Sequence, residues 1–282
     1  DSQARVATLT LAGPEDAPPG DGAALHAMGC HSWALAAFRE LDDALLDLRF
    51  NHPEIGLILL RTTGDPDKVL QWDGALEEMV SAGHWLAVEI RLHQARVLRR
   101  LDNMARSLFA LIEPDSCFAG SMFEFALSAD RIYMLDDPDR DNFIYLHPVN
   151  RSAFPTHNGL TRLQIRFLGD GAAVDKAMAH DGPIDPLDAA DLGLVTRTPD
   201  DLDWEDEVRI AIEERASLSP DALTGMEQNL RAAGAETCDT KVFGRLSAWQ
   251  NWIFQRPNAV GKRGALVMYG DPEKPVFDWT RT

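Results

Sequence analysis

The run over residues 55–60 (IGLILL) is apolar throughout, as expected of a strand covered on both faces in a parallel sheet. A second buried strand reads from the sequence over 107–113 (SLFALIE), ending at Pro114-Asp115. Residues 6–11 (VATLTL) alternate and carry β-branched side chains, so they read as another strand, broken at Gly13-Pro14. Between these runs Leu35, Phe38, Leu41, Leu45 and Leu48 recur at spacings of three and four, which predicts a helix over 32–50 with Ser32 as its cap. After a polar turn over 62–67, Trp85, Val88, Leu92, Leu98 and Leu101 predict a second helix over 85–104, with these residues on one face. A short helix containing Glu124 and a strand over 131–135 follow. This alternation predicts an α/β fold with parallel strands and right-handed crossovers.

Beyond Pro183 helices dominate, with periodic stretches over 201–216, 221–233 and 241–255 and an irregular tail from Gly264. The expected division is an α/β core over 1–198 and a helical C-terminal region with its tail over 199–282. No internal repeat is visible. Trp249, Trp252, Ile253 and Phe254 cannot share one helical stripe, so the last helix is expected to put one tryptophan on its own core and the other aromatics on a second unit.

Charge narrows the partners. Twenty-seven basic residues against 45 acidic ones give a net charge of −18, which argues against general affinity for nucleic-acid phosphates or anionic membranes. No apolar run approaches the ~20 residues of a membrane span, and the start Asp1-Ser2-Gln3 has no signal-peptide pattern. Cys30, Cys117 and Cys238 are scattered and odd in number, which suits a reducing cytoplasm better than a disulfide framework or zinc cage. His26, Cys30 and His31 lack an acidic or second thiolate partner and read as structural, so no metal site is expected. The chain lacks an initiator Met and starts almost directly in a strand, as expected of a part excised from a longer protein.

The segment over 111–130 (LIEPDSCFAGSMFEFALSAD) carries the chemistry. A strand runs through a turn of small residues, Ser116, Cys117, Ala119, Gly120 and Ser121, directly into a helix, which aims unpaired backbone N–H groups at whatever lies above the turn. Such donors stabilise a thioester or other carbonyl oxygen as it becomes an enolate or tetrahedral species. Glu124, one turn into the helix, is placed to act as base or acid on an adjacent carbon or water. Taken alone, the same small-residue turn is more often close backbone packing than catalysis.

The string from Glu124 through Phe125, Ala126, Leu127, Ser128 and Ala129 to Asp130 resembles the crotonase (enoyl-CoA hydratase/isomerase) signature, in which glycines lead into E-L-A-x-x-x-D. The later string Pro183-Ile184-Asp185 through Ala189 to Gly193-Leu194-Val195 is similar to that family's x-A-x-x-x-G-L-V pattern. The resemblance covers nearly the whole chain and implies a ββα-type spiral core of parallel strands. At the C-terminal end, Trp249-Gln250-Asn251-Trp252 through Arg256-Pro257-Asn258, with Gly261, Gly264, Tyr269-Gly270 and Phe277-Asp278, is similar to a narrower branch. Those lyases open the ring of 2,3-epoxybenzoyl-CoA (dihydrodiol) with water in aerobic benzoate breakdown, giving formate and an aliphatic CoA semialdehyde. Their chains carry two crotonase-like halves, and this sequence resembles the second.

The resemblance implies an acyl-CoA substrate, with CoA present as part of that substrate and no permanently bound cofactor. It implies a second crotonase-like unit, in the same chain or a neighbouring subunit, as partner. The family places a small residue before an Asp at its first oxyanion position; the matching stretch here is 69–73, where Trp72 stands as backbone donor or as a plug in the acyl pocket. Gly120 or Ser121 would be the second donor, with Cys117 in the same turn as a substrate contact. The family's second glutamate falls near His147, which would be either a base or a loop-holding histidine. The loop over 12–28, expected to meet the CoA nucleotide, holds Glu15, Asp16 and Asp21 and no Lys or Arg, a poor cradle for an anion. Three activities remain open: the ring-opening lyase using Glu124, a non-catalytic structural half of that lyase, or an enoyl-CoA hydratase or isomerase.

Overall fold

A computed structural model describes residues 1–231 and 234–280 of the chain. Four strands, β1 (Val6–Ala12), β2 (Leu57–Thr63), β3 (Ser107–Ile112) and β4 (Arg131–Met134), form one parallel sheet in chain order. Their register pairs Leu57 with Val6 on one side and with Ser107 on the other, and Phe109 with Arg131. The crossovers carry α1 (Gly22–Met28), α2 (Trp33–Asn51), α3 (Pro66–Ser81), α4 (Trp85–Asp102) and α5 (Gly120–Leu127). Short helices α6 (Val149–Ser152), α7 (Arg162–Arg166), α8 (Gly171–Met178) and α9 (Pro186–Asp191) follow β4. The chain then continues through α10 (Trp204–Ser217), α11 (Pro220–Arg231), α12 (Ser247–Ile253) and α13 (Pro257–Val260).

The strand period of two sorts the core into two layers. Ile58, Leu60, Leu108, Ala110, Ile112, Ile132 and Met134 are buried against Phe38, Leu41 and Leu45 of α2, Val97, Leu98 and Leu101 of α4, and Phe123 and Phe125 of α5. The alternate residues, Leu57, Leu59, Phe109, Leu111 and Tyr133, bury Trp204, Val208 and Ala211 of α10. Strands apolar on both faces demand this second cover, so α10, although it lies beyond residue 198, shares a hydrophobic cluster with the sheet. Asp130 ties the layers together: it accepts from the Leu108 N–H at 2.7 Å and from Arg231 of α11 at 2.9 and 2.6 Å.

Several expectations need correction. The turn expected over 62–67 is cut short by a helix over 66–81 that was not expected: Asp65 caps it by accepting from the Asp67 N–H, Pro66 opens it, and Val69, Trp72, Leu76 and Met79 form its buried stripe. In α4 the buried face runs through Ala87, Ile90, Arg91, Gln94, Val97 and Leu101, leaving Trp85 and Leu92 exposed. Ser32 precedes α2 but its hydroxyl donates back to the Gly29 carbonyl instead of capping. The expected helix over 241–255 begins as a wider π-helical segment, Thr240–Leu246, before α12. Of the stretch over 221–233, Ala232 and Ala233 lie outside the described residues. Among the described residues, pairing beyond the parallel sheet is confined to isolated bridges, such as Ala119 with Tyr145 and Ile144 with Ile184.

Candidate active site

The sheet and α3 converge on the N-terminus of α5, which opens just past the carboxyl end of β3. Ser121 is fully buried and its backbone N–H donates to Oδ2 of Asp73, in α3, at 2.6 Å. A carboxylate here is favoured twice, by the charge-assisted bond and by the positive end of the helix dipole. Burial nevertheless lifts the Asp73 pKa to about 6, with the Arg91 guanidinium and the Ser121 N–H opposing the rise. Gly120 makes the approach possible. Its φ is +45°, its N–H donates to the Tyr145 carbonyl at 3.1 Å, and an added Cβ would stand 2.2 Å from Asp73 Oδ2.

Glu124, one turn further along α5, is 1% exposed. Its Oε1 accepts from Asn150 Nδ2 at 2.9 Å and its Oε2 from Arg162 Nη1 at 3.2 Å. Arg162 is shared: its Nη2 also donates to both oxygens of Asp102, each at 3.0 Å. Burial raises the Glu124 pKa, and Arg162 and Asn150 pull it back by favouring the carboxylate. Asn150 further donates to the Gly120 carbonyl and accepts from the His147 N–H, so one amide fixes the turn, the loop and the glutamate together.

Across its full length the chain is 50% identical to a benzoyl-CoA-dihydrodiol lyase of Aromatoleum evansii, but it spans only 50% of that relative's length. No family model matches the chain. An enoyl-CoA hydratase/isomerase of Cupriavidus metallidurans CH34 superimposes with a TM-score of 0.68 at 17% identity, over 99% of this chain and 95% of the other. An enoyl-CoA hydratase of Bacillus anthracis does so with a TM-score of 0.64 at 15% identity, over 86% and 88%. The chain has the crotonase fold.

Within this crotonase fold the sequence-derived residues separate. Gly120, Ser121, Glu124 and His147 gather around α5 and the loop of Asn150. Trp72 lies inside α3, where the helix commits its backbone N–H, so it has no free amide to offer a ligand. Its indole fills space instead: it is 2% exposed, packs on Trp33 with ring centroids 5.8 Å apart, and donates Nε1 to the Asp16 carbonyl at 2.8 Å. Trp33 holds the same loop by donating to the Ala12 carbonyl. Cys117 stands apart from the donor turn. Its Sγ packs beside Gly13 and Gly64, and burial pushes its thiol up to about 11, too high for a nucleophile. The half-buried His147 turns Nδ1 to the Val149 N–H at 3.4 Å, and burial with nearby Arg91 lowers its pKa while Glu77 opposes.

Sequence reasoning missed Asp73, Arg91, Asn150 and Arg162 as parts of this site. Arg91 left a signal, since an arginine on the apolar face of a helix must find buried partners. It is 6% exposed, reaches Glu77 at 3.4 Å and lies over the Phe154 ring, while its Nε and Nη1, like Ser121 Oγ, have no hydrogen-bond partner among the described residues. Chemically the arrangement is closed. Both candidate donor amides are engaged, Gly120 by the Tyr145 carbonyl and Ser121 by the Asp73 carboxylate, and the glutamate is held by two internal partners. No group of three or more His, Cys, Asp or Glu that could hold a metal occurs among the described residues, and no helix among them is long and apolar enough to cross a membrane.

Proposed function

We propose that this chain is the structural, non-catalytic crotonase unit of a two-unit lyase that opens the ring of 2,3-epoxybenzoyl-CoA with water, the chemistry residing in the companion unit. The relative's name supports a benzoyl-CoA dihydrodiol substrate; the epoxide form and the ring opening follow from the sequence resemblance, and CoA enters only as part of the substrate. One observation carries the non-catalytic reading: the Asp73 carboxylate occupies the Ser121 N–H at 2.6 Å, in the seat a thioester oxygen would need. A carbonyl oxygen would have to displace a hydrogen-bonded anion. The loop that would face a CoA nucleotide presents exposed Glu15, Asp16 and Asp21, which supports the same conclusion.

The companion unit has a surface to cover. Val242, Phe243, Leu246 and Phe254 are exposed along the π-helical segment and α12, whereas Trp249 packs on its own chain beside Gly225 of α11. The relative is twice as long as this chain, which supplies the length for a second unit.

The test is Glu124→Gln in the protein carrying both units, with ring opening followed as substrate consumption. The amide retains an acceptor for Asn150, and turnover is expected to stay within about threefold of the parent, since an acid or base role is worth about 10² or more. A fall of about 10² with an unchanged melting curve would place the chemistry in this unit.

A further inference from the structure

A cavity of about 380 Å³ lies at the opposite end of α5 from Ser121, lined by Leu127, Asp130, Arg162, Ile165, Arg166 and Leu230 among others. Asp102 also lines it. Its wall carries Arg162, Arg166 and Arg231 beside Asp102 and Asp130. Asp102 is held by both of its oxygens on Arg162, and Asp130 by both of its oxygens on Arg231. Arg231 is saturated further by the Met104 and Arg106 carbonyls, and the Ser128 hydroxyl is spent on the Glu124 carbonyl. Arg162 is thus committed to Asp102 and Glu124, and Arg231 to Asp130 and Glu227, while Arg166 has no carboxylate partner among the described residues.

Arg166 is fixed but unpaired. Its Nε donates to the Gly193 carbonyl at 2.6 Å, which orients the planar group, while Nη1 and Nη2 make no hydrogen bond or ion pair among the described residues. Burial alone lowers its pKa to about 10; no neighbouring carboxylate raises it. A half-buried, oriented fork with both terminal amino groups free matches the two oxygens of a carboxylate or the oxygens of a phosphate. Leu127 and Ile165 on the wall and Leu230 at the mouth decide between them, since hydrocarbon beside the fork rewards a ligand with an apolar body.

We infer that this cavity is a binding site for a short-chain organic carboxylate, its head on the Arg166 fork and its hydrocarbon against Leu127, Ile165 and Leu230. The site is separate from the closed donor turn and does not depend on the reading of that turn.

Hexanoate is the probe, titrated calorimetrically into the full chain at neutral pH, with hexanol and inorganic phosphate as controls. One saturable site for hexanoate is expected, with a Kd below about 1 mM, weaker binding of phosphate and none of hexanol. Arg166→Gln removes the fork. Leu230→Glu, at a position 67% exposed and so tolerant of change, sets a like charge at the mouth without touching the fork. Each is expected to weaken hexanoate by about tenfold or more. If Arg166→Gln melts early, Leu230→Glu alone decides. Absence of saturable hexanoate binding, equal binding of hexanol, or unchanged affinity in either folded variant would overturn the proposal.

Discussion

Asp73→Asn probes the closed site through its proton. Burial lifts the Asp73 pKa from 3.8 to about 6, so between these values the folded chain holds a proton that the unfolded chain has released. Raising the pH through that window therefore weakens the fold, and above about pH 6 the loss from this group is complete. Roughly two pH units at about 1.4 kcal/mol each set the whole effect near 3 kcal/mol, of which about 2 kcal/mol falls between pH 4 and pH 8. Asparagine cannot ionise, and its side-chain oxygen still accepts from the Ser121 N–H. The stability of Asp73→Asn relative to the parent is thus expected to rise by about 2 kcal/mol from pH 4 to pH 8. Arg91, Glu77 and His147 are present in both proteins, so the difference isolates the carboxyl of Asp73. Urea unfolding followed by tryptophan fluorescence at each pH measures it. Parallel stability curves for the two proteins would refute a buried, proton-exchanging carboxylate at the start of α5.

Two further substitutions read the same architecture. Arg162→Met strips the shared guanidinium from Asp102 and Glu124 and leaves two buried carboxylates without their cation; a loss of about 3 to 5 kcal/mol in urea unfolding is expected, and a loss under about 1 kcal/mol would show that the bridge carries little. Gly120→Ala drives a methyl to within 2.2 Å of Asp73 Oδ2 at a φ of +45°. It should cost about 1 to 3 kcal/mol and, by expelling Asp73, flatten the pH dependence as Asp73→Asn does; retention of the parent pH dependence would contradict that contact.

The sheet was legible because β2 and β3 are buried on both faces, and such strands leave uninterrupted apolar runs in the sequence. The small-residue turn and Glu124 were legible for a similar reason: their spacing is local. The helix α3 had its signals too, an Asp65 cap, Pro66, and apolar residues every three or four, but no element was expected between the turn over 62–67 and the helix from Trp85. What could not be read was pairing at a distance. Glu124 meets Arg162 and Asn150, 38 and 26 residues away, and Asp73 meets Ser121 across 48. Whether a glutamate faces a ligand or an arginine is decided by such contacts, and no local pattern records them. The face of α4 was misjudged because Trp85 and Leu92 are apolar yet exposed, while Arg91, Gln94 and Asp102 are polar and buried.

Calorimetric titration of the chain with benzoyl-CoA tests the closed site most directly. With Asp73 on the Ser121 N–H, Trp72 filling the space beside the first loop and acidic residues along that loop, no saturable heat is expected up to about 1 mM ligand. Micromolar affinity, accompanied by a change in tryptophan fluorescence, would mean that the carboxylate yields its seat to a thioester and that this unit holds a working crotonase site.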